Sequence, residues 1–307
     1  MNQPNSTKQA QAIEVLKKYE KQLKQYEGVY DVGVGLPING DQMDFNTIAI
    51  LVYVHKKMSK ENLSKNQILP KSLEGIPVDV IESNPIQHDI LLDAVDGIFN
   101  PLIGGIQIGN GRLTGGGTLG LIVAQRGSLN KVGLTNYHVI VRKKGVRGNP
   151  IIQPAFKESN SRFTIGHLHR WNKKLDCAVF EINNNRATEA NNSIFNIAGK
   201  ITQLEEPYIG MRVMKYGATT KLTHGIIASV STDSVKIRIV PNPDKPAQNN
   251  EITSAGDSGS AWVTDEVNPK AVALHWGGDK NTNTRTEFSM ANNLKAIFKS
   301  LDLVLIN

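Results

Sequence analysis

Between residues 7 and 26, apolar positions return with a helical beat: Ala12, Leu16, Tyr19, Leu23 and Tyr26 lie alternately four and three apart, with lysines and glutamates between them. The pattern predicts an amphipathic helix, closed by Gly28, that lays its stripe on the chain's own body; a partner-binding or dimerising helix is the other reading. Two strand-like runs follow, Val29–Leu36 and Thr47–His55, around a loop containing Asn39-Gly40. A short helix is expected from Ser59, a suitable N-cap, and a third strand from Gly75 to Glu82. From Gly104 the texture changes to short apolar runs separated by Gly, Asn and Pro with little helical periodicity, the pattern of an all-β sandwich or barrel. Leu294, Ile297, Phe298 and Leu301 then share one face of a closing helix predicted over residues 290–301.

The chemistry collects in Thr253-Ser254-Ala255-Gly256-Asp257-Ser258-Gly259-Ser260-Ala261-Trp262-Val263. A serine hydroxyl is a poor nucleophile at its own pKa and needs a base and an oxyanion site beside it. Gly256, free of a Cβ, lets the backbone turn so that its N–H and that of Ser258 aim at one spot, an oxyanion hole. Taken alone, the stretch reads equally well as a Gly/Asp/Ser turn between strands. Among the seven histidines, His138 stands at the end of the apolar run Val132-Gly133-Leu134-Thr135, where a strand runs out into a site. Asp176 opens the run Leu175-Asp176-Cys177-Ala178-Val179-Phe180, where an unpaired carboxylate would be costly, so it is the candidate to orient the imidazole. The order along the chain is His, Asp, Ser.

Together Thr135-Asn136-Tyr137-His138-Val139, Leu175-Asp176-Cys177-Ala178-Val179 and Gly256-Asp257-Ser258-Gly259-Ser260 resemble the three catalytic motifs of chymotrypsin/trypsin-like serine peptidases. Tyr216-Gly217-Ala218-Thr219-Thr220-Lys221-Leu222-Thr223-His224-Gly225 resembles a stretch of an intracellular bacterial and plant branch of that family, with Lys221 in place of a glycine. The resemblance implies a mainly β fold of two six-stranded antiparallel barrels, at about 103–185 and 205–290, within a peptidase domain spanning 103–307. Ahead of it would lie the helix of residues 1–28 and a small α/β unit at 29–102, the latter similar to the amino-terminal region of the same branch. His138 and Asp176 would face Ser258 across the cleft between the barrels. His275, Trp276 and Gly277 would form the substrate-binding edge and a pocket wall, and Ile252 would lie near the pocket's base. No carboxylate stands in Ile252–Ala255, so apolar or small side chains are expected before the cleaved bond. The same likeness gives Asp257 a buried cationic partner: either an amine freed by cutting before Ile103, in Leu102-Ile103-Gly104-Gly105, or a built-in arginine such as Arg112 or Arg238.

The remaining features narrow the function. A formal charge of +7 would suit an acidic partner, but the lysines are scattered, and the cluster Lys143, Lys144 and Arg147 reads as a solvated loop; a nucleic-acid role is not expected. The single cysteine, Cys177, excludes an intrachain disulfide, and no apolar run reaches spanning length, so a cytoplasmic, non-membrane protein is expected. His167 and His169 share one side of a strand without an evident third ligand, and Gly115-Gly116-Gly117 reads as a turn; no metal or cofactor is implied. His55 and His88 read as exposed. The reading is a serine endopeptidase that forms an acyl-enzyme on Ser258 and acts on protein or peptide substrates, with latency relieved by a protein partner through the amino-terminal region. The alternatives are a catalytically idle barrel kept as a protein-binding module and a hydrolase, esterase-like or self-cleaving, that uses the same residues.

Overall fold

The computed structural model describes residues 6–40, 42–87, 97–128, 130–155, 163–247, 251–279 and 287–306. His88 lies outside them. The chain is mainly β and forms two antiparallel barrels, one closed and one open. Six antiparallel strands, Arg212–Gly217, Lys221–Val230, Lys236–Pro241, Ala261–Thr264, Ala271–Asp279 and Ser289–Asn293, close on themselves because the first pairs with both the second and the fourth. The other barrel is open. Its sheet runs from Leu121–Gln125 through Lys131–Thr135, Cys177–Ile182, Thr164–Asn172 and Pro150–Ile152 to Gln107–Asn110 and Gly116–Thr118.

The amino-terminal helix runs from Ser6 to Leu23 and buries Ala12, Val15, Leu16 and Leu23 against Val32, Val34, Ile50 and Val52. The same cluster contains Val213, Ile239 and Trp262 of the closed barrel. The sheet is continuous too: Val29–Gly35 pairs with Ala49–Val54, and at its far end sets Val34 opposite Val230 of the barrel. Ala49–Val54 in turn runs parallel to Ile76–Glu82. Where a helix was expected from Ser59, the chain makes two short 3-10 turns, Lys60–Asn62 and Lys65–Gln67; the second carries a Ser64/Gln67 capping box. Three residues per turn suit a connection that has no apolar stripe to bury.

The open barrel has its own core of Ile108, Leu119, Ile122, Ile140, Ile151 and Phe180. Between the barrels, Leu121, Leu134 and Val179 meet Val263 and Leu274, and the closing helix drives Leu294, Ile297, Phe298 and Leu301 into this seam. That helix starts at Leu294, later than its sequence pattern suggests, since Ser289–Asn293 is held in the sheet; Asn293 caps it by accepting from the Lys295 N–H. Leu303–Leu305 then pairs with Leu121–Gln125 and ties the end of the chain to the open barrel. The glycine run does not form the expected turn, which lies earlier, at Gly111-Arg112; Gly115 has φ +80° and Gly116-Gly117 belong to a strand. Among the described residues, no helix is long and apolar enough to cross a membrane.

Candidate active site

The strand Lys131–Thr135 stops at Asn136, whose extended backbone opens a one-turn helix, Tyr137–Ile140. This turn, absent from the apolar pattern, swings His138 out of the sheet. Asp176 precedes the neighbouring strand in the left-handed region, φ +46°, and its carboxylate reaches back over the turn. Its Oδ2 lies 2.6 Å from His138 Nδ1, and its Oδ1 accepts from the His138 backbone N–H at 3.0 Å. Asn136 Nδ2 donates to the Asp176 carbonyl at 2.8 Å, and Asn292 of the closed barrel donates to the carbonyl of Leu175 at 2.9 Å. A ring whose Nδ1 donates to a carboxylate presents a lone pair at Nε2. That Nε2 is buried and has no hydrogen-bond partner among the described residues.

Ser258 sits on the opposite wall, in the turn that leads into Ala261–Thr264. Its Oγ donates to the Trp276 carbonyl at 3.3 Å, so the hydroxyl is not engaged with His138 in this conformation. The turn is braced from the other barrel by Thr118: its N–H donates to the Ser258 carbonyl at 2.7 Å and its Oγ1 to the Gly256 carbonyl at 2.8 Å. Thr135 Oγ1 holds the Thr118 carbonyl in turn, at 2.7 Å. Gly117 lies between Val139, beside His138, and the Ser258 carbonyl; a Cβ there would collide with both. Gly256 and Gly259 take φ +94° and +95°, conformations that L side chains rarely adopt. Gly259 N–H bonds to the His275 carbonyl and Ser260 N–H to the Asp257 carbonyl, whereas the N–H groups of Gly256 and Ser258 donate to no backbone carbonyl of the turns and loops among the described residues.

Asp257, between them, is fully buried, and its partner is Lys215, itself fully buried, at 2.9 Å. Neither arginine named from the sequence fills this role. Arg112 is exposed on a loop, and Arg238 lies between the rings of Tyr53 and Phe288, 4.0 Å from each centroid, donating to Ser83 Oγ. Asp257 also accepts from the N–H groups of Thr219, Thr220 and Ser254 and from Thr220 Oγ1. Burial alone would push its carboxyl up; Lys215 and these donors outweigh that and hold it below the usual carboxylate range. A Cβ on Gly217 would strike the Asp257 carboxylate, which is why glycine stands there. Lys221, where the resembled stretch has glycine, takes φ +60° and thus the conformation that a glycine would supply. The sequence carried one sign of Lys215: a lysine inside the otherwise apolar run Val213–Tyr216.

The residues read as a substrate pocket lie on one strand and beside it, each with its own role. Ile252 is fully buried in the main core beside Trp262 and Val213. His275 is also fully buried, with Nε2 2.5 Å from Thr253 Oγ1 and Nδ1 2.8 Å from Ser289 Oγ. Trp276 is half-buried and supplies the carbonyl held by Ser258. Gly277 is paired with Gln87. Glu287, which the sequence reading passed over, accepts the Ile252 N–H at 2.8 Å and the Thr253 N–H at 3.4 Å. Burial pushes its carboxyl up to about 7 against these two donors. His169 lies 3.3 Å from Glu181, and among the described residues there is no cluster of three or more His, Cys, Asp or Glu that could hold a metal ion. His55 is exposed and stacks on Tyr30.

No protein-family model and no curated protein matches this chain. The solved structures it is similar to include proteases. One is a glutamic acid-specific serine protease, 15% identical, with a TM-score of 0.49 over 67% of this chain and 100% of the other. Others are Thermobifida fusca protease A (18% identity, TM-score 0.45, 67% of this chain and 98% of the other) and Cellulomonas bogoriensis chymotrypsin (18%, 0.47, 66% and 97%).

Proposed function

We propose that the protein is a serine endopeptidase acting on protein or peptide substrates, with Ser258 as nucleophile, His138 as general base and Asp176 as the group that orients His138. The observation that carries this reading is the buried, unshared lone pair of His138 Nε2, fixed by the two hydrogen bonds from His138 to one carboxylate. A buried acceptor with no partner calls for an explanation, and a proton-accepting role supplies one. The reading requires the Ser258 hydroxyl to leave the Trp276 carbonyl and donate to that nitrogen. As Oγ attacks the scissile carbonyl, Nε2 takes the proton, Asp176 stabilises the imidazolium, and the N–H groups of Gly256 and Ser258 receive the oxyanion. Nε2 then protonates the leaving amine, and water repeats the sequence on the acyl-enzyme.

A fluorophosphonate probe tests the assignment. Wild type is expected to label and Ser258→Ala to stay unlabelled, and equal labelling of both would sink it. His138→Ala is expected to lose nearly all peptide turnover, whereas Asp176→Asn keeps the fold and loses about 10⁴-fold in kcat through the wrong tautomer. Near-normal turnover in Asp176→Asn would mean that another carboxylate orients the ring. An idle binding module has no need of the Asp176 geometry, and it predicts no labelling at all.

Specificity is part of the proposal. Glu287 is the acid that accepts the Ile252 and Thr253 N–H groups, so its carboxyl is occupied by backbone, and burial pushes it up to about 7. It is a poor counter-charge for a substrate ammonium. Apolar or small side chains are therefore expected before the cleaved bond. A peptide-library profile dominated by Lys and Arg would reverse this. The lone cysteine, buried and with its thiol pushed up to about 12 by burial, fits a reducing, cytoplasmic setting, since it has neither a disulfide partner nor thiolate character to protect.

A further inference from the structure

The strand Ala271–Asp279 has one long neighbour, Ser289–Asn293, along one side. Its other side is shared. Ala261–Thr264 covers Ala271–Leu274, and then His275 exchanges hydrogen bonds with Ser260 and Gly259 as the neighbouring chain turns off at Ser258. Beyond that point the edge at Gly277, Gly278 and Asp279 would lie open beside the nucleophile. It is instead covered by the short strand Pro85–Gln87, antiparallel, with Gln87 opposite Gly277, Ile86 opposite Gly278 and Pro85 opposite Asp279.

Direction and register give this strand its meaning. A peptide added to this edge gains its backbone hydrogen bonds only in register, and one that runs antiparallel to Ala271–Asp279 brings its carboxyl-terminal end toward Ser258. Pro85–Gln87 runs that way: Gln87, its last residue, faces Gly277, and the residue before Gly277, Trp276, holds the Ser258 hydroxyl. Gln87 Nε2 also donates to Asp176 Oδ2 at 3.3 Å, so the strand reaches the carboxylate that orients His138. The approach is close; a Cβ on Gly277 would collide with the Ile86 carbonyl. The strand is nevertheless weakly anchored. Ile86 and Gln87 are exposed, and backbone pairing with three residues supplies most of its hold, which places it among the segments that open at low cost.

We infer that Pro85–Gln87 is the chain's own occupant of the substrate groove, laid in the substrate's direction, so that a peptide acting in trans must first displace it. The inference concerns the same site as the proposed function, but groove occupancy does not depend on catalysis. A strand that merely caps a sheet edge against aggregation would also sit here; it would not compete with substrate. Competition lowers apparent affinity by the fraction of molecules whose groove is open.

Two measurements separate these cases. In a Ser258→Ala background, a fluorescent synthetic peptide spanning residues 82–91 is titrated into the parent and into the variant carrying Pro85→Gly, Ile86→Gly and Gln87→Gly. The variant is expected to bind it about tenfold or more tightly; equal affinity, or no binding to either, overturns the inference. With Ser258 intact, Ile86→Pro is expected to raise kcat/KM on a mixed peptide substrate about tenfold, while its rate of labelling by a small fluorophosphonate, which does not need the groove, stays that of wild type and reports an intact fold. Unchanged peptide hydrolysis by an Ile86→Pro protein that labels normally would again make the strand a cap only. Tighter peptide binding without any labelling would leave occupancy standing and bring down the peptidase assignment.

Discussion

Lys215 and Asp257 show how one buried pair can decide the shape of a turn. Both side chains are excluded from solvent, and Asp257 lies in the chain between the two residues whose N–H groups are assigned to the oxyanion. Taking Lys215 away leaves a charge that burial penalises and that four remaining donors compensate in part. Lys215→Met is therefore expected to cost about 3–5 kcal/mol in denaturant unfolding at neutral pH. The deficit should shrink as pH falls. In wild type the depressed Asp257 carboxyl contributes stability that is present above the ordinary carboxylate range and lost only as pH drops through its lowered value; in the variant, protonation removes a stranded charge and gives stability back. Adding Asp257→Asn to Lys215→Met should restore part of the loss. A loss that does not change with pH would mean that packing, not charge, is what Lys215 supplies. The sequence pointed to Asp257 as needing a cation but named the wrong one, because arginine and lysine look alike in a list and only the strand places Nζ against the carboxylate. Thr118 was illegible for a similar reason: its contacts with Gly256 and Ser258 span more than a hundred residues of chain.

At the scale of elements, legibility followed length and contrast. The eighteen-residue helix and the strands around residues 29–36, 47–55 and 75–82 could be read because each is long: the helix buries one apolar stripe, and the strands are runs of six or seven residues, Ala49–Val54 being buried throughout. Three-residue strands could not. Leu303–Leu305 and Pro85–Gln87 carry too few residues to set a period, and the second begins with a proline and ends exposed; their structure comes from the neighbours they pair with. The one-turn helix that turns His138 out of its strand was hidden for the opposite reason, since Val139 and Ile140 prolong an apolar run that reads as more strand. Nor does any pattern in the sequence show that the amino-terminal unit continues the closed barrel. That join is made by the Val34 and Val230 pairing, by a shared core, and by Arg238 lying between Tyr53 of one and Phe288 of the other, a stacking that favours guanidinium over ammonium.

The whole molecule bears on whether a cut is needed for activity. A freed amine at Ile103 could serve Asp257 only if its site were vacant and if the segment could leave its place. Lys215 already occupies the carboxylate. The segment is also built into the open barrel: Leu102 is fully buried and its carbonyl accepts from Asn191, Gly104 donates to the Ser193 carbonyl and bridges to Ile194, and Gly105 donates to the carbonyl of Leu119. Gly104 packs so closely on the Gly120 carbonyl that a Cβ would not fit. Extracting these residues would give up buried contacts and several hydrogen bonds for an ion pair that already exists. The oxyanion turn is therefore expected to be formed without cleavage, and access to the groove, rather than assembly of the catalytic groups, to be what limits the intact chain. Intact-mass analysis of the fluorophosphonate-labelled protein measures this directly. The labelled species is expected to retain the residues ahead of Ile103, and Ile103→Pro, which would block an inserted amine, is expected to leave the labelling rate unchanged. Label found solely on chains beginning at Ile103 would show that Lys215 gives up Asp257 on activation and that the segment's anchoring is the latch.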